Sequence, residues 1–217
     1  MTGQRMRFRD TREFVSFLEE RGELRRVKTS VSCELEITEL ADRAVKSGGP
    51  ALFFENVEGY DMPVVIGMFG TRQRMAWALG VDHLDELTER VRKILAMVQG
   101  PPSGIVGKAR ALGDLVGIVR TQPKTVTKAP CQQVVVTGDE VDIDALPALK
   151  CWPEDGGRFI TLPLVISRDP ETGRRNVGTY RMQIYDGRTT GMHWQTHKVG
   201  AHHYRTGEAR GQERLDV

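Results

Sequence analysis

Cysteine is scarce: Cys33, Cys131 and Cys151 are the only three in 217 residues, far apart and without a Cys-x-x-Cys spacing. An odd, scattered set builds neither a disulfide framework nor a zinc knuckle, and it suits a reducing compartment. No apolar run approaches the ~18 residues that a membrane-spanning helix requires. The opening stretch, Met1-Thr-Gly-Gln-Arg-Met6, lacks the apolar core of a secretory leader. Excess charge of one sign is missing too. The 31 Lys and Arg residues against 29 Asp and Glu leave +2, too small and too evenly spread to imply nucleic-acid binding. Internal repeats and low-complexity tracts are absent as well. What is present, 39% hydrophobic and 28% charged residues, is the composition of an ordinary globular protein. The cytoplasm is the expected setting, and the length suits one large or two small domains with a real core.

Helix caps, glycines and β-branched runs punctuate the first part of the chain. Asp10 is placed to cap a helix that carries Phe14, Val15 and Leu18 on one face and stops at Gly22. Leu24–Val27 reads as a short strand, and Ile37, Leu40, Ala41, Ala44 and Val45 keep helical spacing up to Gly48-Gly49. Ala51–Asn56 and Pro63–Met68 are strand candidates. Arg72–Leu79 and Leu84–Val98 are helix candidates, the second with Leu84, Leu87, Val91 and Ile94 or Leu95 on one face. Gln99–Gly104 breaks the pattern, and a further helix is expected through Ala109–Val119. This alternation predicts a small α/β domain over residues 1–120. Thr121–Pro130 is then a linker, and the periodicity turns to that of strands: Gln132–Val136, Phe159–Ser167, Asn176–Tyr185 and Thr189–Gln195. Asp169–Gly173 is a turn between the middle two, and Asp186-Gly187 is a two-residue hairpin signal between the last two. Such a meander predicts an antiparallel barrel or half-barrel over residues 121–217. Lys198–Tyr204 is a candidate helix start.

The polar residues that could carry chemistry crowd into the last quarter. Along a strand, Asn176, Gly178 and Tyr180 share one face while Val177, Thr179 and Arg181 share the other. Arg181 is the residue type suited to a carboxylate or phosphate, because its planar fork donates two parallel hydrogen bonds; a solvated arginine on a surface strand is the other reading. Four of the five histidines, His193, His197, His202 and His203, fall within eleven residues, and His83 stands alone. His193 and His197 have the spacing of a zinc helix, but Trp194 stands where the metalloprotease signature requires Glu. An Asn carbonyl with one His and a carboxylate suits Mn²⁺ or Mg²⁺ better than zinc; ordinary histidines at a strand-to-helix junction are the alternative. Trp194 could pack on a flat cofactor or simply fill core, Gln195 could hydrogen-bond a heterocycle edge, and Lys198 could meet a phosphate. Cys151–Arg158 is too glycine-rich for a strand and too charged to be buried unpaired, so it reads as an ordered loop at a site or as a surface loop. Cys151 has no recognisable supporting base, which argues against a nucleophile.

Three runs together, Asn176-Val-Gly-Thr-Tyr-Arg181, Gly191-Met-His-Trp-Gln-Thr-His-Lys198 and Cys151-Trp-Pro-Glu-Asp-Gly-Gly-Arg158, resemble the UbiD family of prenylated-FMN-dependent decarboxylases. The resemblance extends back to the N-terminus. It implies an α+β fold: a small N-terminal α/β domain followed by an antiparallel split β-barrel of the flavin-binding type, here incomplete at its C-terminal end. It implies Asn176 as ligand to a divalent metal, usually Mn²⁺, which with K⁺ bridges to the cofactor phosphate, and His197 as second ligand. Thr179, Tyr180 and Arg181 would be the first cofactor-binding segment, and His193, Trp194 and Gln195 with Lys198 and Val199 the second. Arg181 would hold the substrate carboxylate and tune the acid that reprotonates the product, while the modified flavin acts as electron sink as CO₂ leaves. Ubiquinone-pathway members carry Arg-Trp-Leu and later Arg-Gly where this chain has His193-Trp194-Gln195 and Lys198-Val199, which leaves the substrate open.

Members of that family are longer, and their catalytic and metal-binding glutamates lie beyond position 217. A truncated chain with little or no turnover is therefore expected, with unpaired strand edges and exposed apolar faces. The expected partners are a carboxylic acid substrate, a flavin prenyltransferase as cofactor supplier and further copies of the chain. Three other readings remain: a non-catalytic flavin- or metal-binding subunit of a multi-chain carboxylase, an FMN-dependent split-barrel oxidoreductase, and an interaction module with no ligand, which the polar density of residues 151–198 makes the least attractive.

Overall fold

In the computed structural model the first helix, α1 (Thr11–Glu20), begins at its expected cap: Asp10 is extended, and its side chain accepts the Glu13 N–H at 2.9 Å. That contact satisfies one of the donors a helix start leaves open. The structure describes residues 8–99 and 125–217; the helix expected at Ala109–Val119 lies outside them. Contacts group the chain into two units, residues 1–23 with 68–137 and residues 24–67 with 138–217, so neither unit is one continuous stretch.

In the first unit, α1 buries Phe14, Val15 and Leu18, and Gly22 takes the left-handed conformation (φ 71°) that lets the chain leave the helix. The helix over Arg72–Ala78 starts at Thr71, whose hydroxyl accepts the Arg74 N–H. Phe8, Phe14, Phe17 and Trp77 form an aromatic cluster, with Phe17 and Trp77 edge-to-face at 5.4 Å and the Arg21 guanidinium 3.6 Å from the Phe17 ring centre. Arg74, fully buried, donates to Glu23 at 2.8 Å. The long helix over Asp85–Gln99 forms as predicted, yet Val91, Ile94 and Leu95 of its apolar face stay exposed. Gln132–Val136 is not a strand. Pro130–Gln132 makes a 3₁₀ turn, and Val134 is 81% exposed; a β-branched run forms no ladder without a neighbour, and none of the described strands pairs with it.

In the second unit, β1 (Leu24–Val27) lies parallel to β2 (Ala51–Phe54), joined through α2 (Glu36–Lys46), and β3 (Val64–Ile66) closes the sheet antiparallel to β2. The parallel pair requires such a crossover. Helix α2 turns Ile37 and Ala41 inward, and Gly48 (φ 69°) ends it. The core joins Val31, Cys33, Ile37, Phe54 and Val57 with Leu149 from much later in the chain. Lys150 fixes that late segment: its N–H donates to the Cys33 carbonyl and its own carbonyl accepts the Leu35 N–H. Helices α3 (Arg72–Ala78) and α4 (Asp85–Gln99) belong to the first unit.

The remaining strands are β4 (Phe159–Ile160), β5 (Leu164–Arg168), β6 (Arg175–Thr179), β7 (Met182–Asp186) and β8 (Thr189–Met192), followed by α5 (Val199–Ala209). They form two small antiparallel sheets, β4-β7-β8 and β5-β6, with α5 against β5 and β6; no closed barrel forms among the described residues. Two long strands were expected, and each is broken at the same level. Ile160 pairs with Met182 and Leu164 with Thr179, so three residues, 161–163, face two, 180–181. This is the count of a bulge, which bends the pair and re-aims side chains, and Pro163 lacks the N–H a continuous ladder would need. The turn at Asp169–Gly173 forms as expected, with Asp169 accepting the Glu171 N–H at 2.9 Å and Gly173 at φ 69°. Asp186 pairs with Thr189, which puts the two-residue loop at Gly187-Arg188, one position later than predicted. No helix among the described residues is long and apolar enough to cross a membrane.

Candidate functional site

The bulge places Tyr180 and Arg181 at the junction of the two sheets and sends their side chains to different tasks. Tyr180 is buried, and its hydroxyl accepts the Gly200 N–H at 2.8 Å in the first turn of α5. Its ring meets Trp194 edge-to-face at 6.1 Å, and Trp194 in turn meets Tyr204 at 5.8 Å. Two glycines make room. A Cβ on Gly178 would stand 2.5 Å from the Tyr180 ring, and one on Gly200 would stand 2.9 Å from both Trp194 and the Tyr180 hydroxyl. Tyr180 and Trp194 thus seat α5 on β6.

Arg181 faces the loop between Cys151 and Arg158. Its two terminal nitrogens donate to the two carboxylate oxygens of Asp155 at 3.0 and 2.6 Å, and its guanidinium lies 3.8 Å over the Phe159 ring. The hydrogen bonds from Arg181 hold the Asp155 carboxyl below the usual carboxylate range, and the same contacts raise the arginine further. The Trp152 N–H also donates to Asp155, at 3.2 Å. The loop is ordered at its other end by Arg158, which donates to the Tyr60 hydroxyl at 2.5 Å and to Asp144. The Arg181 carbonyl accepts the His193 N–H at 2.9 Å, so the two expected cofactor-binding segments are joined backbone to backbone.

Asn176 stands on the inner face of β6, opposite Ser167 of β5, and its Nδ2 is buried with no hydrogen-bond partner. Beside it Ser167, itself buried, hydrogen-bonds the Nδ1 of buried His203 at 3.0 Å, tying β5 to α5. Thr179 lies on the outer face, paired with Leu164. His193, Gln195, His197, Lys198 and Val199 are exposed around the turn that enters α5, where the Lys198 N–H donates to the Gln195 carbonyl. Among the described residues no three His, Cys, Asp or Glu side chains converge as a metal cluster. Asn176 offers an amide oxygen and the exposed His197 an imidazole nitrogen. The orphaned atom of Asn176 is its amide N–H group, which calls for an acceptor supplied from outside the described residues rather than for a cation; an amide oxygen with an imidazole is the donor type Mn²⁺ or Mg²⁺ accepts. Sequence reading singled out the loop 151–158 without naming Asp155, and it missed Ser167, His203 as a buried residue, and Phe159. The Asp155 signal was a pair of adjacent acids, Glu154 and Asp155, in a glycine-rich run; Ser167 and Phe159 carry no signal that separates them from ordinary strand residues.

Residues 15–94 match the family described as 3-octaprenyl-4-hydroxybenzoate carboxy-lyase N-terminal domain (UbiD_N), and residues 124–217 match the 3-octaprenyl-4-hydroxybenzoate carboxy-lyase Rift-related domain (UbiD). An uncharacterized protein of Archaeoglobus fulgidus is 49% identical over 212 residues, which is 98% of this chain and 43% of that protein. Among solved structures, an evolved dimeric form of the UbiD-class enzyme HmfF from Pelotomaculum thermopropionicum, in complex with prFMN, matches with a TM-score of 0.72 and 28% identity, over 94% of this chain and 42% of its own. The closed form of the vanillic acid decarboxylase of Sedimentibacter hydroxybenzoicus matches with a TM-score of 0.75 and 27% identity, over 95% and 41%. The chain therefore spans about two-fifths of the length of these relatives.

Proposed function

We infer that this chain, which belongs to the UbiD family, carries the flavin- and carboxylate-binding share of a non-oxidative decarboxylase or carboxylase acting on an aromatic or α,β-unsaturated acid. The observation that carries the reading is Arg181: a guanidinium set at a bulge, backed by an aromatic ring and already holding a carboxylate in two-point geometry. Such a fork distinguishes a planar anion from a neutral group, and its grip weakens as a bound carboxylate becomes neutral CO₂. In this reading residues 1–120 form the N-terminal α/β domain and residues 121–217 the part of a split barrel that binds prenylated FMN. The division of the family matches supports it.

Asn176 and His197 would hold a Mn²⁺ ion next to the cofactor phosphate, with K⁺ alongside. Lys198 adds a positive charge for that phosphate; Thr179, His193, Gln195 and Val199 line the cofactor, with Tyr180 and Trp194 fixing the helix start behind it. When bound, prenylated FMN supplies the electron sink for loss of CO₂. The rest falls to the chain: Arg181 orients the acid, and Phe159 keeps water from one face of the guanidinium. A flavin prenyltransferase would supply the cofactor in the cytoplasm, and the working form would be a homo-oligomer.

The test is native mass spectrometry with metal analysis on protein coexpressed with a flavin prenyltransferase. Prenylated FMN with about one Mn²⁺ per chain is expected for a single mixed-ligand site, and Asn176→Ala should remove the metal. Protein that emerges without flavin or metal in repeated preparations would overturn the assignment of these residues.

A further inference from the structure

The Arg181–Asp155 pair already makes a two-point contact of the kind a ligand carboxylate would make. Both terminal nitrogens are used, each on a different carboxylate oxygen, at 3.0 and 2.6 Å. One face of the guanidinium is covered by Phe159 at 3.8 Å. The Asp155 side chain is only 12% exposed and that of Arg181 33% exposed, so this is a partly desolvated pair, in which charge-assisted bonds count for more than at an open surface. Asp155 also keeps a second donor, the Trp152 N–H, which stays with the carboxylate if the arginine lets go. The loop that carries it is held at the far end by Arg158 on Tyr60 and Asp144.

We propose that Asp155 is a resident competitor for Arg181: the carboxylate that an incoming acid must displace, and thereby a positioning residue that sets which acids bind. This rests on the reading that Arg181 receives the substrate carboxylate. Asp155 occupies the edge between the two terminal nitrogens, one of the edges on which a guanidinium takes a carboxylate by two hydrogen bonds, so a ligand carboxylate and Asp155 exclude each other there. Exchange conserves charge at the arginine but leaves Asp155 with the Trp152 N–H and water. A small acid with nothing else to offer cannot compensate for that loss, whereas an acid whose ring gains contact area elsewhere can. Asp155 would therefore filter against simple aliphatic carboxylates and in favour of ring-bearing ones.

The experiment is a benzoate titration of the purified 217-residue chain by calorimetry and by ¹⁵N NMR of the arginine Nε signals, with benzamide as the neutral control. Asp155→Asn keeps the shape and removes the charge. It should tighten benzoate binding by about tenfold or more, the scale of a charge-assisted pair removed from competition, leave benzamide unchanged and shift the Arg181 Nε resonance before ligand is added. Asp155→Glu should restore the weaker wild-type binding. Arg181→Met should abolish benzoate binding in both the wild-type and Asp155→Asn backgrounds. If Arg181→Met weakens binding while Asp155→Asn leaves it equal or weaker, the competition is overturned and the Arg181 reading stands. If benzoate binds equally well without Arg181, or none of the variants binds it, both fall. A cooperative melt and an unchanged far-UV circular dichroism spectrum for Asp155→Asn exclude misfolding as the source of any change.

Discussion

At the scale of single residues the structure makes its sharpest demands around Tyr180. Gly178→Ala would push a methyl to 2.5 Å from the ring, and overpacking of that kind costs about 1–3 kcal/mol; urea unfolding should show the loss directly. Tyr180→Phe keeps the ring and removes only the acceptor for Gly200, leaving a buried N–H unpaired at a cost of about 1–3 kcal/mol. Asp155 gives a prediction in pH. Its folded pKa lies below the ordinary 3.8 because Arg181 donates to it. The stability it contributes is then fully present above the ordinary value and lost as pH falls through the depressed one. Melting temperatures measured between about pH 5 and pH 2 should fall more steeply for wild type than for Asp155→Asn, with the acid limbs of Asp169 and Asp186 common to both. Asn176, Arg181, Trp194 and Lys198 stood out in the sequence because their chemistry is specific. Their surroundings did not, since nothing in Glu154-Asp155-Gly156 says that the acid reaches an arginine 26 positions later.

Elements in the first part of the chain were legible because caps and glycines are local devices. Asp10, Gly22 and Gly48 each act where the sequence places them, and Asp10→Ala should cost about 1 kcal/mol of stability by removal of the cap. The strands after position 158 were read as too long. Alternation of side chains continues through 161–163 and 180–181 in the sequence, but the register changes there by one residue, and a register change is a property of two strands rather than of one. The Val134–Val136 run failed for a related reason: β-propensity describes fit to a neighbouring strand, and a single sequence does not say whether the neighbour exists. The tie between β5 and α5 belongs to this scale too. Ser167→Ala would leave the buried His203 Nδ1 without its partner, a loss of about 1–3 kcal/mol that should appear as earlier amide exchange in α5 than in β1 or β2.

For the molecule as a whole, the family and the α+β class were legible, while which distant segments pack together was not. Segments 24–67 and 138–217 share one unit, and the reason is a core that takes Leu149 into a cluster whose other buried members all precede residue 60. The outer face of the β5-β6 pair exposes Leu164, at 72%, with Ile166 and Val177 in register beside it. Contiguous apolar surface of this kind promotes association. Val177→Thr with Ile166→Lys should therefore shift the chain toward smaller species in sedimentation velocity at fixed concentration, while an unchanged distribution would show that this face is not what joins copies. The late arrival of Leu149 has a further consequence during synthesis. The strands β1, β2 and β3 leave the ribosome long before the residue that seals them. Folding of that first sheet must wait for translation, not only for diffusion, because contacts between distant positions form slowly and only once both ends exist. A nascent chain stalled before residue 149 would expose Phe54 and Ile37 to chaperones and proteases, and one stalled after the Lys150 segment has cleared the exit tunnel would not.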